Sequence, residues 1–518
     1  MNSIEILEQD EKMRLFVDWA RENDIWVSEN IWYPAKFGGK YLGVVSIGNI
    51  GNNECLVRVP NETILSVKSL EINEIWNIFE DHYDLFSGIS HLYADYKEVI
   101  FLIYEYCKGA SSKWYHFFNI LPKNPEILSD WSYEELSDLH DKILIEETIN
   151  SKLEEEKATK LLHDLLLNYP SQFPGITLDI IKWSQKIVNT RAFAHCGISL
   201  IPFADFFNHG VSHLSYSKEN SEDIQNDDNS DDCDFDNDAG IDENAIYMNF
   251  TTLCNMKFGK QENFSKKIKT VFEESKLIDE KFYKLGSQEE DVLNDFGDYF
   301  VIKTGKNENH GNGSQLFISY GAYSNRMLLQ QYGFAVLDNK YNYAYVKIPT
   351  TELIIENQII DNFEIPCIDF KIKRKSLCLK LLRVLRAFAW DESLSYTAFL
   401  SPSDLNLELR IMHHALLILN KQLADFPTSI DEDYALLSQR THERLEFSII
   451  YRIEIKRCIF SQIKYFQILT EIISRMMQGE LFECSARLVP GIENENDYKG
   501  NRKAIKTYLD CLRIFHTI

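Results

Sequence analysis

Two segments of this chain carry side chains able to do chemistry. Gln315-Leu-Phe-Ile-Ser-Tyr320-Gly321 alternates like a strand and ends on a tyrosine before a glycine turn, from which a phenol can point into a cleft instead of a core. Upstream, Arg191-Ala-Phe193 precedes an apolar run that ends in polar groups, Leu200-Ile-Pro202-Phe-Ala-Asp205-Phe-Phe-Asn208-His209. A carboxylate, an amide and an imidazole at a strand exit can hold a polar ligand, helped by backbone groups that the strand no longer uses. Taken singly, each segment also reads as ordinary structure, a rim tyrosine packing its ring and a strand end capped by Asn208. Two other sets are weaker. Asp232-x-Asp234-x-Asp236-Asn237 with Glu243 has calcium-loop spacing, but Asn237 stands where that loop needs glycine and no amphipathic helix precedes it. His413-His414 lies in an apolar helical stretch without a ligand partner one turn away, so packing explains it.

The elements around these segments follow from periodicity. Leu15, Phe16, Trp19 and Ala20 share one stripe and predict an amphipathic helix. Residues 41–47 and 55–59 read as strands around a turn at Gly48–Asn53, and residues 70–190 read as helical, with a loop at 121–125. Ser324-Asn325 is placed to cap a helix from Arg326 to Tyr332, with Gly333 beyond its end. Residues 257–300 are charged and partly helical in pattern. From about 370 the chain reads as helices over 376–390, 405–426, 432–478 and 503–515, without an internal repeat.

Composition narrows the class. A chain of 518 residues suits two to four domains, and 45% hydrophobic with 26% charged residues is ordinary for a globular protein. Lys+Arg is 54 against Asp+Glu 79, a net charge of −25, which argues against a nucleic-acid or membrane-surface binder and suits a basic protein partner. Twelve of those acids, and no base, fall between Glu219 and Glu243, so that stretch is expected to be a solvated loop. Ten scattered cysteines without a C-x-x-C pair speak against a clustered zinc site or a disulfide scaffold and for reducing surroundings. The acidic N-terminus lacks a leader pattern and no run reaches about 18 apolar residues, so a soluble intracellular protein is expected.

In combination and in order, these residues resemble the SET-domain methyltransferases of the plant Rubisco large-subunit lysine methyltransferase subfamily. The resemblance lies in Arg191-Ala-Phe193, Leu200 to His209, Phe317-Ile-Ser-Tyr320-Gly321, Ser324-Asn325 and Tyr332-Gly333-Phe334. Tyr41-Leu-Gly-Val-Val and Leu56-Val-Arg-Val-Pro60 resemble the family's first strands, and Ser111-Ser-Lys-Trp114 through Leu121-Pro122 its helical insertion. Most of residues 20–340 is covered. Three positions depart: Tyr41 replaces the first glycine of the cofactor turn, with Gly38-Gly39 just upstream; Ser314 replaces an acidic residue; and the gap from His209 to Tyr320 is long because it holds the acidic stretch.

The resemblance implies an α+β fold, a SET-domain β-fold with a knot-like crossing and a helical insertion, followed by an all-helical C-terminal domain. The implied divisions are 1–90 for the first part of the SET domain, 91–190 for the helical insertion, 191–345 for the second part with a disordered acidic insert at 215–245, and 346–518 for a helical substrate-binding domain. It further implies transfer of a methyl group from S-adenosyl-L-methionine to a lysine of a non-histone protein, such as a ribosomal protein or translation factor, with no metal. Tyr320 would be the catalytic residue. Lys40, Tyr41, Leu42, Asn208, His209 and Tyr320 would hold the cofactor, and Arg191, His195, Asp205 and Tyr332 would line the lysine side. Phe193 and Ala204 match lysine-directed members, where relatives acting on an actin histidine carry Asn and Trp. Histidine methylation and a catalytically inactive SET-like binding module stay open as alternatives. The expected partner is a protein with a basic lysine-containing segment, not nucleic acid or membrane, bound by a monomer in the cytoplasm, with the nucleus as a second location.

Overall fold

The computed structural model describes residues 4–39, 41–66, 75–82, 96–194, 198–210, 215–219, 298–305, 308–349, 367–389, 398, 402–439, 441–482 and 504–516. The chain divides into two units, Met1–Asn229 with Leu293–Asn339, and Ser230–Val292 with Lys340–Ile518.

The first unit opens with β1 (Ile4–Ile6) and α1 (Glu11–Glu22), whose first turn is capped by Asp10 accepting from the Met13 N–H. Its inward stripe is Met13, Phe16, Trp19 and Ala20, whereas Leu15, expected on that stripe, is 46% exposed. The reason is phase: adjacent helical residues lie about 100° apart, so Leu15 leaves the face that Met13 and Phe16 set. Strands β2 (Trp26–Val27), β3 (Ile31–Phe37), β4 (Tyr41–Ser46), β5 (Cys55–Pro60) and β6 (Leu65–Ser66) follow. The helical stretch comprises α2 (Trp76–Asp81), α3 (Tyr96–Cys107), α4 (Tyr115–Ile120), α5 (Tyr133–Ser137), α6 (Lys142–Leu166) and α7 (Leu178–Arg191). α3 is buried on nearly every side, from Glu98 to Glu105, as befits a core helix, and α7 packs against it.

Strands then return as β7 (Phe193–Ala194), β8 (Ile198–Leu200), β9 (Asn208–His209), β10 (Ser215–Glu219), β11 (Tyr299–Lys303) and β12 (Gln315–Ile318), followed by α8 (Asn325–Tyr332). Two expectations change here. Residues 215–219, expected as the start of a disordered insert, form β10, antiparallel to β11 with Tyr216 opposite Ile302. The end of the segment expected to be partly helical, 257–300, begins β11, because Tyr299-Phe-Val-Ile is a buried β-forming run. The rest of the acidic stretch, including the calcium-like spacing at 232–243, lies outside the described residues.

Three sheets result, with strand orders β1-β3-β4-β12-β9, β10-β11-β5-β2 and β6-β8-β7. In the first, β12 pairs antiparallel with β4 and parallel with β9, so strands far apart in sequence lie side by side.

Among the described residues, the second unit starts with an antiparallel ribbon, β13 (Tyr343–Pro349) and β14 (Cys367–Lys373), and continues with α9 (Leu379–Ala389), α10 (Leu405–Ala424), α11 (Ile430–Leu437), α12 (Glu443–Met477) and α13 (Lys506–His516). It is therefore not all-helical. The ribbon buries alternate residues, Ala344, Val346, Ile348, Phe370 and Ile372, a period-2 pattern that only a strand can satisfy. The single helix expected over 432–478 is two: α11 ends at Ser438, and His442 caps α12 by accepting from the Leu445 N–H. Buried charges tie these helices together. Arg386 holds Glu408 through two hydrogen bonds of 2.7 and 2.8 Å, and Asp433 accepts from Arg452 at 2.8 Å and Lys456 at 2.6 Å. No helix among the described residues is long and apolar enough to cross a membrane.

Candidate functional site

The parallel pairing of β9 with β12 brings the two sequence segments together, with Phe317 opposite Asn208 and Ile318 opposite His209. The close approach depends on Gly210, whose N–H donates to the Ile318 carbonyl at 3.1 Å; a Cβ there would sit 2.7 Å from the Phe317 ring. β12 ends just short of Tyr320, and two hydrogen bonds fix that residue. Its N–H donates to His209 Nδ1 at 3.0 Å and its hydroxyl donates to the Phe207 carbonyl at 3.0 Å.

Burial pushes the Tyr320 hydroxyl up to about 12, with the charge of Arg191 opposing and that of Asp205 adding. It is therefore a neutral donor at physiological pH. Burial pulls His209 down to about 4, so its ring is neutral, and because Nδ1 accepts from Tyr320 the ring proton sits on Nε2. His209, Tyr332 and Phe334 all lie against the Tyr320 ring, at centroid distances of 5.2, 4.9 and 6.3 Å.

α8 sets that aromatic wall. Ser324 caps it by accepting from the Met327 N–H, and Gly333 closes it in the left-handed conformation. Asn325, expected to share the cap, is instead fully buried and clamps the chain beyond the helix. Its Nδ2 donates to the Val336 carbonyl at 2.9 Å, while its Oδ1 accepts from the Val336 N–H at 3.1 Å and from Asn339 Nδ2 at 3.0 Å. Those bonds hold Tyr332 and Phe334 against Tyr320.

On the other side, Arg191 ends α7 and reaches Asp205, donating through Nη1 to both the Oδ2 and the backbone carbonyl of that residue at 2.9 Å. Asp205 sits in a tight turn behind Phe203, which adopts a positive φ of 67° while its ring packs on Phe16 and Phe206. Asp205 Oδ1 is buried without a hydrogen-bond partner. Burial raises the Asp205 carboxyl above the usual range, and Arg191 opposes the rise. Tyr33 stacks on Phe206 and is pushed to about 12 by burial, with Asp205 adding.

The β3–β4 hairpin supplies the remaining edge. It turns through Gly38 and Gly39, both left-handed, so the glycine turn sits just upstream of Tyr41, which begins β4 as a strand residue. Tyr41 and Leu42 are exposed. Asn208 Nδ2 donates to the Leu42 carbonyl at 2.8 Å, and it can do so because Gly43 has no side chain: a Cβ there would lie 2.8 Å from that nitrogen.

The structure thus gathers Tyr320, His209, Asn208, Leu42 and Tyr332 around one junction, with Arg191 and Asp205 acting on Tyr320 electrostatically. Lys40 and His195 lie outside the described residues. Sequence reasoning missed the roles of the Phe207 carbonyl, the Asn325 clamp, Phe334 and Tyr33. The Tyr-Gly-Phe end of α8 pointed to Phe334; nothing local marked Tyr33, which reaches Phe206 only through folding. His413 and His414 lie on α10, and among the described residues no three His, Cys, Asp or Glu side chains are placed to hold a metal.

The fold is that of solved SET-domain structures. No family model matches the chain. The solved structure of Rubisco LSMT bound to sinefungin and monomethyllysine aligns with 95% of this chain and 100% of that one, at a TM-score of 0.56 and 18% identity. The SET domain of LSMT bound to MeLysine and AdoHcy aligns over 95% and 100%, at 0.57 and 17%. In sequence the chain is similar to the chloroplastic Rubisco large subunit N-methyltransferase of Pisum sativum, 26% identical over 204 residues, 38% of this chain and 39% of the relative. Its similarity to that of Nicotiana tabacum is 27% over 222 residues, 41% and 42%. The matched stretch spans about two fifths of these curated relatives. The chain thus has the fold of the LSMT SET-domain structures and is similar in sequence to Rubisco large-subunit N-methyltransferases.

Proposed function

We propose that this chain is an S-adenosyl-L-methionine-dependent protein-lysine N-methyltransferase acting on a non-histone protein in the cytoplasm or nucleus, with the second unit contributing to recognition of that protein. The observation that carries the reading is the Tyr320 junction: one parallel strand pair sets the phenol, a neutral imidazole and an amide side by side within an aromatic wall. When bound, the cofactor supplies an electrophilic sulfonium methyl.

Asn208, His209, Tyr41, Leu42 and, outside the described residues, Lys40 would hold it. The donor set fits, since an uncharged imidazole adds no repulsion beside a sulfonium. Gly43 leaves Asn208 the room it needs. Transfer of a methyl group by displacement asks the protein mainly to align reactants and exclude water. Tyr320, held by two hydrogen bonds, orients the amine, and Tyr332 and Phe334 shield it. A free lysine titrates near about 10.4, and an apolar aromatic wall favours the neutral amine that can attack. Arg191, Asp205 and Tyr332, with His195 outside the described residues, would make up the substrate side.

Phe193 and Ala204 favour lysine over histidine as the acceptor. Incubation of the purified chain with cell lysate and methyl-labelled cofactor, followed by identification of the labelled residue, tests both. Label on histidine keeps the fold reading and overturns the acceptor; no cofactor binding turns the chain into a SET-like binding module.

A further inference from the structure

The ribbon of the second unit presents a concentration of positive charge in a chain whose net charge is −25. Within Lys371-Ile-Lys373-Arg374-Lys375 four of five residues are basic, and the three lysines are exposed. Alternation explains their direction: Phe370 and Ile372 are buried, so Lys371 and Lys373 must face outward. On the same face, across the ribbon, stand Tyr345 opposite Lys371 and Tyr343 opposite Lys373. The Lys371 ammonium lies 5.2 Å from the centre of the Tyr343 ring and 5.7 Å from that of Tyr345.

The turn after β14 is bound to α12. Gln462 Nε2 donates to the carbonyls of Lys373 at 2.7 Å and Ser376 at 2.6 Å, and the Tyr465 hydroxyl donates to that of Arg374. This places Arg374 beside the outward face of α12, where Arg374, Arg457, Phe460 and Ser461, with Ile430 of α11, line an open hollow. Phe460 is 41% exposed there. Glu454 tempers the charge by accepting from Arg457 at 2.6 Å, and further along the ribbon Asp369 is in register with Lys347.

We infer that this face binds an extended, acidic protein segment. Lys371 and Lys373 are two residues apart on one strand face, a spacing of about 7 Å that matches alternate side chains of an extended peptide. The hollow adds guanidinium groups, whose geometry suits carboxylates, around an apolar floor able to take one hydrophobic side chain. A long polyanion such as RNA would extend beyond the patch into the field of an otherwise acidic chain, which a short acidic segment avoids. The inference does not draw on the methyl-transfer reading.

The test is fluorescence polarisation on the full chain at low salt. The probes are a labelled peptide alternating glutamate and serine with one central phenylalanine, its lysine counterpart, and a single-stranded RNA of similar length. The first variant is Lys371→Gln/Lys373→Gln/Lys375→Gln, which changes exposed side chains only; Arg457→Gln is the second, and circular dichroism checks the fold of both. Binding of the acidic peptide, weakened by salt and at least roughly tenfold by the triple substitution, is the expected result. Equal affinity of the folded variants and the unaltered chain, no binding by the unaltered chain, or tighter binding of the RNA would overturn it.

Discussion

Replacing Arg191 by methionine removes the guanidinium that answers a buried carboxylate. The Asp205 side chain is 1% exposed and its Oδ1 has no hydrogen-bond partner, so Arg191 supplies the compensation on Oδ2. Breaking one side of such a pair costs about 3–5 kcal/mol when the remaining charge stays buried. The cost should depend on pH, and its sign follows from the direction of the shift. Burial already raises the Asp205 carboxyl above its unfolded value, so its contribution to stability is fully present below that value and is lost as pH rises through the folded one. Without Arg191 the folded value rises further. Over the interval where the folded variant keeps this proton and the folded unaltered chain has lost it, the deficit grows by about 1.4 kcal/mol per pH unit.

Seven of the eight tryptophans, all but Trp390, belong to the first unit, so denaturation followed by tryptophan fluorescence reports on the unit that holds the pair. Arg191→Met should be clearly less stable than the unaltered chain at pH 8 and less so at pH 5, and adding Asp205→Asn should restore part of the loss. A deficit below about 1 kcal/mol, independent of pH and untouched by Asp205→Asn, would refute the reasoning, because it would mean that Asp205 is not a buried charge relying on Arg191.

Three further outcomes follow from the same geometry. His209, held neutral at about 4 against an ordinary 6.5, contributes stability that is present above pH 6.5 and lost as pH falls towards 4; His209→Asn should flatten that decline by at most about 3 kcal/mol, read from denaturation curves across this range. Gly43→Ala puts a carbon 2.8 Å from Asn208 Nδ2 and should cost about 1–3 kcal/mol while weakening cofactor binding, measured by calorimetry; unchanged binding would separate Asn208 from the cofactor. Asn325→Ala removes the side chain that pairs with both the N–H and the carbonyl of half-buried Val336 and should cost about 2–4 kcal/mol, with a larger fall in methyl transfer than in cofactor affinity, because the aromatic wall loses its clamp before the cofactor residues do.

What could be read beforehand was whatever the chain declares locally. Tyr320 before Gly321, Ser324 as a cap and Gly333 as a helix stop each follow from neighbours within a few residues, and the structure has all three in place. The Arg191, Asp205 and Asn208-His209 positions were marked by their order, and their meeting required the parallel pairing of β9 with β12, which no local pattern specifies. Tyr33 and the clamp by Asn325 were invisible for the same reason: their partners, Phe206 and Val336, are fixed by packing. The β13–β14 ribbon is a different kind of miss. Its alternation is present in Tyr343-Ala-Tyr-Val and Phe370-Lys-Ile-Lys, but short strands beside long helical patterns are easily absorbed into them. The break between α11 and α12 was overlooked because the apolar spacing resumes after His442 with hardly a change of phase.

The central claim is that Tyr320 serves methyl transfer to a lysine. Its most direct test is Tyr320→Phe, assayed with labelled cofactor and the protein band labelled by the unaltered chain. The substitution removes only the hydroxyl that donates to the carbonyl of buried Phe207, so the fold should lose about 1–3 kcal/mol. The account predicts a labelled lysine with the unaltered chain, and transfer reduced at least about a hundredfold in the variant while cofactor binding persists. Transfer at an undiminished rate by Tyr320→Phe would contradict it.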